Sequence, residues 1–360
     1  REGGVPRGHT YLVRLQSEYV RGELLDLESL CTKEDFGGRV DAIMAELPEQ
    51  MRVAHAVMQR ESPLLSPCEC IYLGRSAQCT TFDYTNPTVP RYSVHDIARI
   101  GSSKAKLVQL VESGVLAIGD VPDDAPLSDK QMNQVRSAKS GREEIDIPAI
   151  AELLDGYQFP HAFFDYETYA AGVPRFEGYR PFDQIPFQFS LDIMHSADAP
   201  IEHHEFLFTD ATRPDQALIE ALRTMMPATG SIVTWNKKFE IGINQRLAVR
   251  NPEHAAFLEA LNTRVVDLME VFSTQAYIHP GFRGSSSIKA VLPVLVPELS
   301  YKALEIQEGG TASDTWNKIV TGEKSAGEIE SLRQALLTYC ALDTRAMWEI
   351  WRVLRQQIDD

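Results

Sequence analysis

The chain has 360 residues with 44% hydrophobic and 9% aromatic content, long enough for two domains and a sizeable core. Its 51 acidic residues against 35 lysines and arginines give a formal net charge of −16, which argues against a protein that coats nucleic acid through net positive charge, while leaving room for local lysines and divalent metals. No apolar run approaches the ~20 residues of a membrane helix and no secretory signal opens the chain, so a cytoplasmic protein with no membrane partner is expected; five unevenly spaced cysteines do not make a disulfide framework.

Residues 1–10, REGGVPRGHT, read as a loop cut into, which predicts a missing upstream part. Residues 11–15 (YLVRL) are a strand candidate, and 19–30 carry a helical or mixed pattern. Apolar residues recur at helical spacing from about 36 to 60, predicting a long helix interrupted near Pro48. The next stretch, SPCECIYLGRSAQCTTFDYTNP, holds Cys68, Cys70 and Cys79 in a loop, a grouping that suits a thiolate metal site, either zinc or a 4Fe-4S cluster. The competing reading is three unligated thiols. A fourth ligand is not nearby; Cys31 is one candidate and the absent upstream segment another. Residues 11–79 resemble the tail end of a RecB-like, PD-(D/E)XK-type nuclease of the AddB kind, in which one cysteine precedes the nuclease core and three follow it. The acids and lysine of that nuclease type are not visible here, so the resemblance implies a catalytically dead remnant over residues 1–90.

Residues 91–155 predict a helical connector. Two short helical patterns are broken by Gly101 and Gly114, an acidic Pro-rich loop follows, and 131–142 make a further polar helix. The segment is similar to helix-hairpin-helix connectors, which implies turn amides and a lysine near a phosphate; a plain helical spacer fits equally well.

The stretch AFFDYE, 162–167, is a short aromatic strand ending in Asp165 and Glu167. Side chains at i and i+2 of a strand share a face, and two acids that close repel unless a cation lies between them. Strands at 185–194 and 203–208 complete a three-strand meander, a helix spans 214–226, and SIVTW (231–235) is a buried strand delivering Asn236. Helices over 239–250 and 252–261, an extended piece at 264–269 with Asp267 and a long apolar-striped helix over 326–351 follow.

Residues 156–360 are therefore read as an α/β domain with a ribonuclease H-like mixed sheet flanked by helices. Within it DYE at 165–167, NKKFE at 236–240 and YCALD at 339–343 resemble the three motifs of the DnaQ-like DEDDy 3′-5′ exonucleases. SIKAVLPVLVP (287–297) resembles that family's Ser-Leu-Lys helix. The whole chain resembles a bacterial domain-of-unknown-function family of the DUF2779 type, which joins a RecB-like remnant to such an exonuclease. The resemblance implies two Mg2+ or Mn2+ ions held by Asp165, Glu167, Glu240 and Asp343, with Asp165 bridging both. Tyr339, one helical turn before Asp343, would orient the attacking water, and Asn236, Phe239 and Lys289 would meet the terminal nucleotide of a single-stranded DNA or RNA 3′ end.

Glu240 stands where the family has Asp, and its extra methylene bears on rate and metal preference. Asp267 is an alternative fourth acid, or a structural Asp closing its strand. Lys237, Lys238, Arg264 and Arg283 are further candidates for phosphate contact, or solvated charges. His203 and His204 are expected to be structural, and Cys340 a small core residue. The competing functions are a catalytically impaired pseudo-nuclease or scaffold module, and an endonuclease.

Overall fold

A computed structural model describes residues 8–60 and 68–360, which fall into two compact units. The first takes the described residues up to 60 with Ala170–Asp183. In it β1 (Tyr11–Leu15) pairs antiparallel with β2 (Cys31–Asp35), and α1 (Leu27–Leu30) lies between them, capped by the Asp26 carboxylate. The expected helix over 36–60 is two helices, α2 (Gly37–Met44) and α3 (Leu47–Met58). The break falls just before Pro48, because a proline ring fits only the first turn of a helix. β2 reads CTKED, with no apolar alternation to announce it; its strand character comes from the partner β1.

The second unit takes the residues from 68 to Tyr169 and Gln184–Asp360. After α4 (Phe82–Thr85), helices α5 (Lys104–Glu112) and α6 (Asp129–Ser140) enclose a small core of Val94, Ile97, Ile100, Leu107, Leu110 and Val135. A two-residue strand β3 (Glu144–Ile145) precedes α7 (Ile147–Asp155). Five strands then build the main sheet: β4 (His161–Tyr169), β5 (Ile185–Met194), β6 (Glu202–Leu207), β7 (Ser231–Thr234) and β8 (Val265–Asp267), in the spatial order β6-β5-β4-β7-β8. β4, β5 and β6 form the antiparallel meander, whereas β7 and β8 run parallel to β4, so the sheet is mixed and flanked by helices. Gly230, at φ 86, makes the turn into β7; any Cβ there would run into the Pro160 backbone at the start of β4.

Strand parity divides the side chains of β4. Ala162, Phe164 and Tyr166 point into a core with Phe189, Leu191 and Ile193 of β5. That core is closed by α8 (Asp215–Met225), α9 (Lys237–Arg250) and α10 (Ala255–Asn262). Phe163, Asp165 and Glu167 therefore face the other way. After α11 (Glu270–Ser273), β9 (Tyr277–Ile278), α12 (Ile288–Leu295) and α13 (Gly309–Val320), the long α14 (Ala326–Asp359) crosses that opposite face. Its contacts with the sheet are polar as well as apolar: Gln188 Nε2 donates to Leu336 O at 2.9 Å, Ser190 Oγ meets Thr344 Oγ1 at 2.8 Å, and Trp351 packs edge-on against His161. Among the described residues no helix is long and apolar enough to cross a membrane.

Candidate active site

A β-bulge in the β4–β5 ladder falls between Glu167 and Thr168, immediately after the two acids that share the α14 face. Thr168 pairs there with Pro186, which has no N–H to offer the ladder, and β6 pairing begins only at Gln188. The strand thus ends its regular course at the acids.

Glu240 arrives from the first turn of α9, and the entry to that helix is built with care. Asn236 sits in the left-handed region, φ 101, which Asn tolerates better than most residues. Asp267, the last residue of β8, accepts the N–H of Asn236 at 3.0 Å and of Met269 at 3.1 Å on Oδ1, and that of Lys237 at 3.1 Å on Oδ2. All its lone pairs on this side are committed to backbone donors, so Asp267 is the structural Asp closing its strand. It fixes where α9 begins and hence where Glu240 points. Tyr166 OH donates to Asn244 Oδ1 at 2.9 Å one turn further on and ties α9 to β4.

Tyr339 and Asp343 arrive from α14 at i and i+4, on the same helix face. Tyr301 donates its hydroxyl to Asp343 Oδ1 at 2.6 Å, orienting that carboxylate. The structure brings Asp165, Glu167, Glu240 and Asp343 together. The carboxyls of Asp165, half-buried, and buried Glu167 are pushed well above the ordinary range, first by burial and then by neighbouring carboxylates: Asp343, Glu167 and Glu240 act on Asp165, and Asp343 acts on Glu167. Burial lifts Asp343 to about 6 and Glu240 to about 8, with the Asp267 charge adding to the latter. Glu240 Oε2 is buried without a hydrogen-bond partner. Burial and the same acids push the Tyr339 phenol upward, so it keeps its proton. These are oxygen ligands crowded in a partly dry site with one oxygen orphaned, a donor set that fits hard divalent cations.

Lys289, in α12, places its exposed side chain beside this cluster: Nζ donates to Gln307 O at 2.8 Å, lies 5.7 Å from the Tyr339 ring centroid, and its charge favours the ionised forms of Glu167 and Asp343. Phe239 packs against the core on the far side of the sheet, and the Asn236 side chain is exposed. Arg264 is occupied with Gly230 O and Pro227 O, and Lys237 with Glu270. Lys238 and Arg283 are exposed. His203 pairs with Asp192 at 2.6 Å and His204 with Glu202 at 2.8 Å, both on the β6 edge.

Three residues of the site carried no sequence signal of a role there. Cys340 Sγ lies with carboxylate oxygens of Asp165 and Glu167 inside a 4.8 Å group, Tyr301 anchors Asp343, and a Cβ at Gly309 would lie 3.8 Å from Glu167 Oε2 and 4.0 Å from Tyr339 OH. Cys340 was legible only as a core residue within the last motif, Tyr301 belongs to a short turn without a pattern, and Gly309 is the first residue of α13, where nothing in the sequence marks it.

A second group stands elsewhere in the same unit. Cys68, Cys70 and Cys79 are free thiols whose Sγ atoms lie within 4.8 Å of one another. Thr85 Oγ1 at 3.4 Å and Asn86 Nδ2 at 3.6 Å hydrogen-bond Cys68 Sγ, and Thr81 Oγ1 lies 3.4 Å from Cys79 Sγ. Donors aimed at sulfur and the Thr85 hydroxyl above all hold the Cys68 thiol near 7. Cys31 lies on β2 in the other unit.

Residues 162–287 match the model of a domain of unknown function, DUF2779. The DUF2779 match runs from β4 to the residue that begins α12, so it takes in Asp165, Glu167 and Glu240 and stops before Tyr339 and Asp343. No curated protein and no solved structure matches the chain.

Proposed function

We propose that the protein is a metal-dependent 3′-to-5′ exonuclease acting on single-stranded DNA or RNA ends in the cytoplasm, with a ribonuclease H-like domain of the DEDDy type. The observation that carries this reading is the gathering of four carboxylates from β4, α9 and α14, where burial disfavours all four charges and neighbouring carboxylates add to it on Asp165 and Glu167. Such crowding is costly without cations and useful with them.

Asp165, Glu167, Glu240 and Asp343 would hold Mg2+ or Mn2+. When bound, such ions supply the positive charge that activates water and stabilises a leaving oxygen. Tyr339, still protonated, offers one O–H donor and one acceptor with which to orient a water beside Glu167. Tyr301 holds Asp343 in a single orientation, and Lys289 at the exposed rim presents an ammonium to an incoming phosphate.

The cysteine group we read as a site for one ion of the zinc class. Bonds of about 2.3 Å at tetrahedral angles put sulfurs sharing one ion roughly 3.8 Å apart. In an iron–sulfur cluster at most two thiolates share an iron, and those on different irons stand roughly 6 Å apart. Sulfurs all within 4.8 Å fit the single ion. Residues 8–60 and the loop up to 90 we read as a RecB-like remnant without catalytic acids of its own.

The test is incubation with 5′-end-labelled single strands and Mn2+ or Mg2+. A one-nucleotide ladder receding from the 3′ end is expected, and Asp165→Ala abolishes it. Internal cuts would replace the assignment with an endonuclease, and an undegraded substrate with a pseudo-nuclease.

A further inference from the structure

The second unit contains a cavity of about 630 Å³ between the α5–α6 hairpin and the segment from α11 to the start of α12. Its chemistry runs against that of the chain. In a protein with 51 acids and 35 lysines and arginines, none of the described residues lining this cavity is Asp or Glu, whereas Arg99, Lys106 and Lys130 all line it, along with eight serines. An acid-free wall in so acidic a chain makes a local positive potential that the net charge conceals.

The cations are disposed to receive an anion. Lys106 is half-buried, and neither it nor Arg99 pairs with a carboxylate among the described residues. Lys130 makes only a long contact, 3.4 Å, to the Ser273 carbonyl. Arg99 adopts φ 56, a left-handed backbone that a bulky residue enters at a cost, and it lies at the tip of the turn before α5. Ser102, Ser103 and Ser287 add hydroxyls. Arg99 and Lys130 are exposed and Lys106 is half-buried, so their charges are open to an anion from solvent.

The cavity wall and the rim of the carboxylate site are joined by a short stretch of chain. Ser287 lines the cavity and begins α12, and Lys289, two residues on and so about 3 Å further along a helix axis, stands beside Glu167 and Asp343. Trp235, the residue before Asn236, donates Nε1 to Ser286 O at 3.0 Å and ties this stretch to the β7–α9 turn.

We propose that the cavity binds the phosphate backbone of the single strand whose 3′ end occupies the carboxylate site. The proposal deepens the nuclease reading and rests on it for the direction of the strand. Arg99, Lys106 and Lys130 neutralise successive phosphates, serine hydroxyls donate to their oxygens, and the strand is read by charge rather than by base. The ligand class is a polyanion, not a free small anion.

The experiment is fluorescence anisotropy of a 5′-fluorescein single-stranded oligonucleotide with the full chain in EDTA, where no hydrolysis occurs, over a series of salt concentrations. The triple variant R99Q/K106Q/K130Q is expected to bind at least about tenfold more weakly at low salt and to flatten the slope of log affinity against log salt by about 2, roughly 0.7 for each lost phosphate contact. Ser103→Glu, which adds a negative charge and removes no lysine or arginine, is expected to weaken binding likewise and guards against misfolding of the triple variant. Parent-like affinity and slope in both cavity variants would overturn the proposal, as would displacement of the oligonucleotide by inorganic phosphate at constant ionic strength. If the parent leaves the strand intact with Mn2+ yet the cavity variants lose binding, the hydrolysis reading fails and the binding site stands.

Discussion

Removing divalent metal should make this protein less stable as pH rises from about 6.5 to 8.5, because Glu240 titrates at about 8 in the folded chain against 4.5 when exposed. The folded state then holds a proton over a range where the unfolded state has lost it, so stability is highest at low pH for this group and falls as pH rises through the folded value. Integrating the two titrations gives a loss of about 2 kcal/mol between pH 6.5 and 8.5. Asp343, at about 6 against 3.8, has spent most of its penalty below that window. His161 works in the opposite sense: its buried ring titrates at about 4, so its contribution grows with pH up to its ordinary value and is silent above it. A loss of 2 kcal/mol corresponds to a melting temperature lower by about 4–8 °C for a domain of this size. The assay is a thermal melt in EDTA across the window, repeated with Mn2+, whose charge replaces the proton and should flatten the decline. A melting temperature that stays flat or rises in EDTA, or a Glu240→Gln variant declining as steeply as the parent, would show that this carboxyl does not lie in a crowded anionic site.

Three further outcomes follow from the same geometry. Tyr339→Phe removes one hydroxyl and no packing, so single-turnover hydrolysis should fall by about 100-fold while oligonucleotide affinity in EDTA holds within about twofold of the parent; an unchanged rate would remove the phenol from the chemistry. Asp267→Ala strips the acceptors from three backbone N–H groups at the start of α9, and should cost about 2–4 kcal/mol in a melt and weaken Mn2+ binding through a misplaced Glu240. Metal analysis of protein purified without oxygen should find zinc at about one ion per chain and no visible iron–sulfur absorption, with zinc lost in Cys68→Ser and retained in Asp165→Ala; stoichiometric iron with sulfide would instead establish a cluster.

The parts of the fold that repeat were readable, and the parts that depend on a distant partner were not. The i, i+2 spacing of Asp165 and Glu167 places both on one face of any strand, and the i, i+4 spacing of Tyr339 and Asp343 does the same on a helix. The apolar stripe of α14 announced the helix, though it runs eight residues past the expected end at 351, to Asp359, because buried Leu354 carries the stripe on. By contrast β2 is polar, and β3 and β9 are two residues each; all three exist only because another segment pairs with them. Tyr301 lies in a short turn between α12 and α13, where no period marks which side chain will reach Asp343. The acid-free cavity is invisible for the same reason: its walls come from segments more than a hundred residues apart.

The site is also where local stability and arrangement conflict. Elsewhere along β4 and β5 some buried polar groups have partners, such as Gln188 Nε2 with the Leu336 carbonyl and Ser190 with Thr344, while Gln188 Oε1 and both ring nitrogens of His161 have none. At Glu240 the fold leaves a buried oxygen unpartnered, although replacing the side chain by an apolar one of similar size would relieve both the desolvation and the repulsion. The turn that delivers it is over-determined rather than loose, with Asp267 holding a left-handed Asn236 through two adjacent N–H groups. A chain that spends an acid to fix one helix end, and uses that end to place another acid near three more, gives up local stability at this site, which is what the proposed cation site calls for. On that reasoning the longer arm of Glu240 belongs to the placement of α9: the start of the helix is pinned to β8 through Asp267, so reach toward Asp165 has to come from the side chain rather than from the backbone.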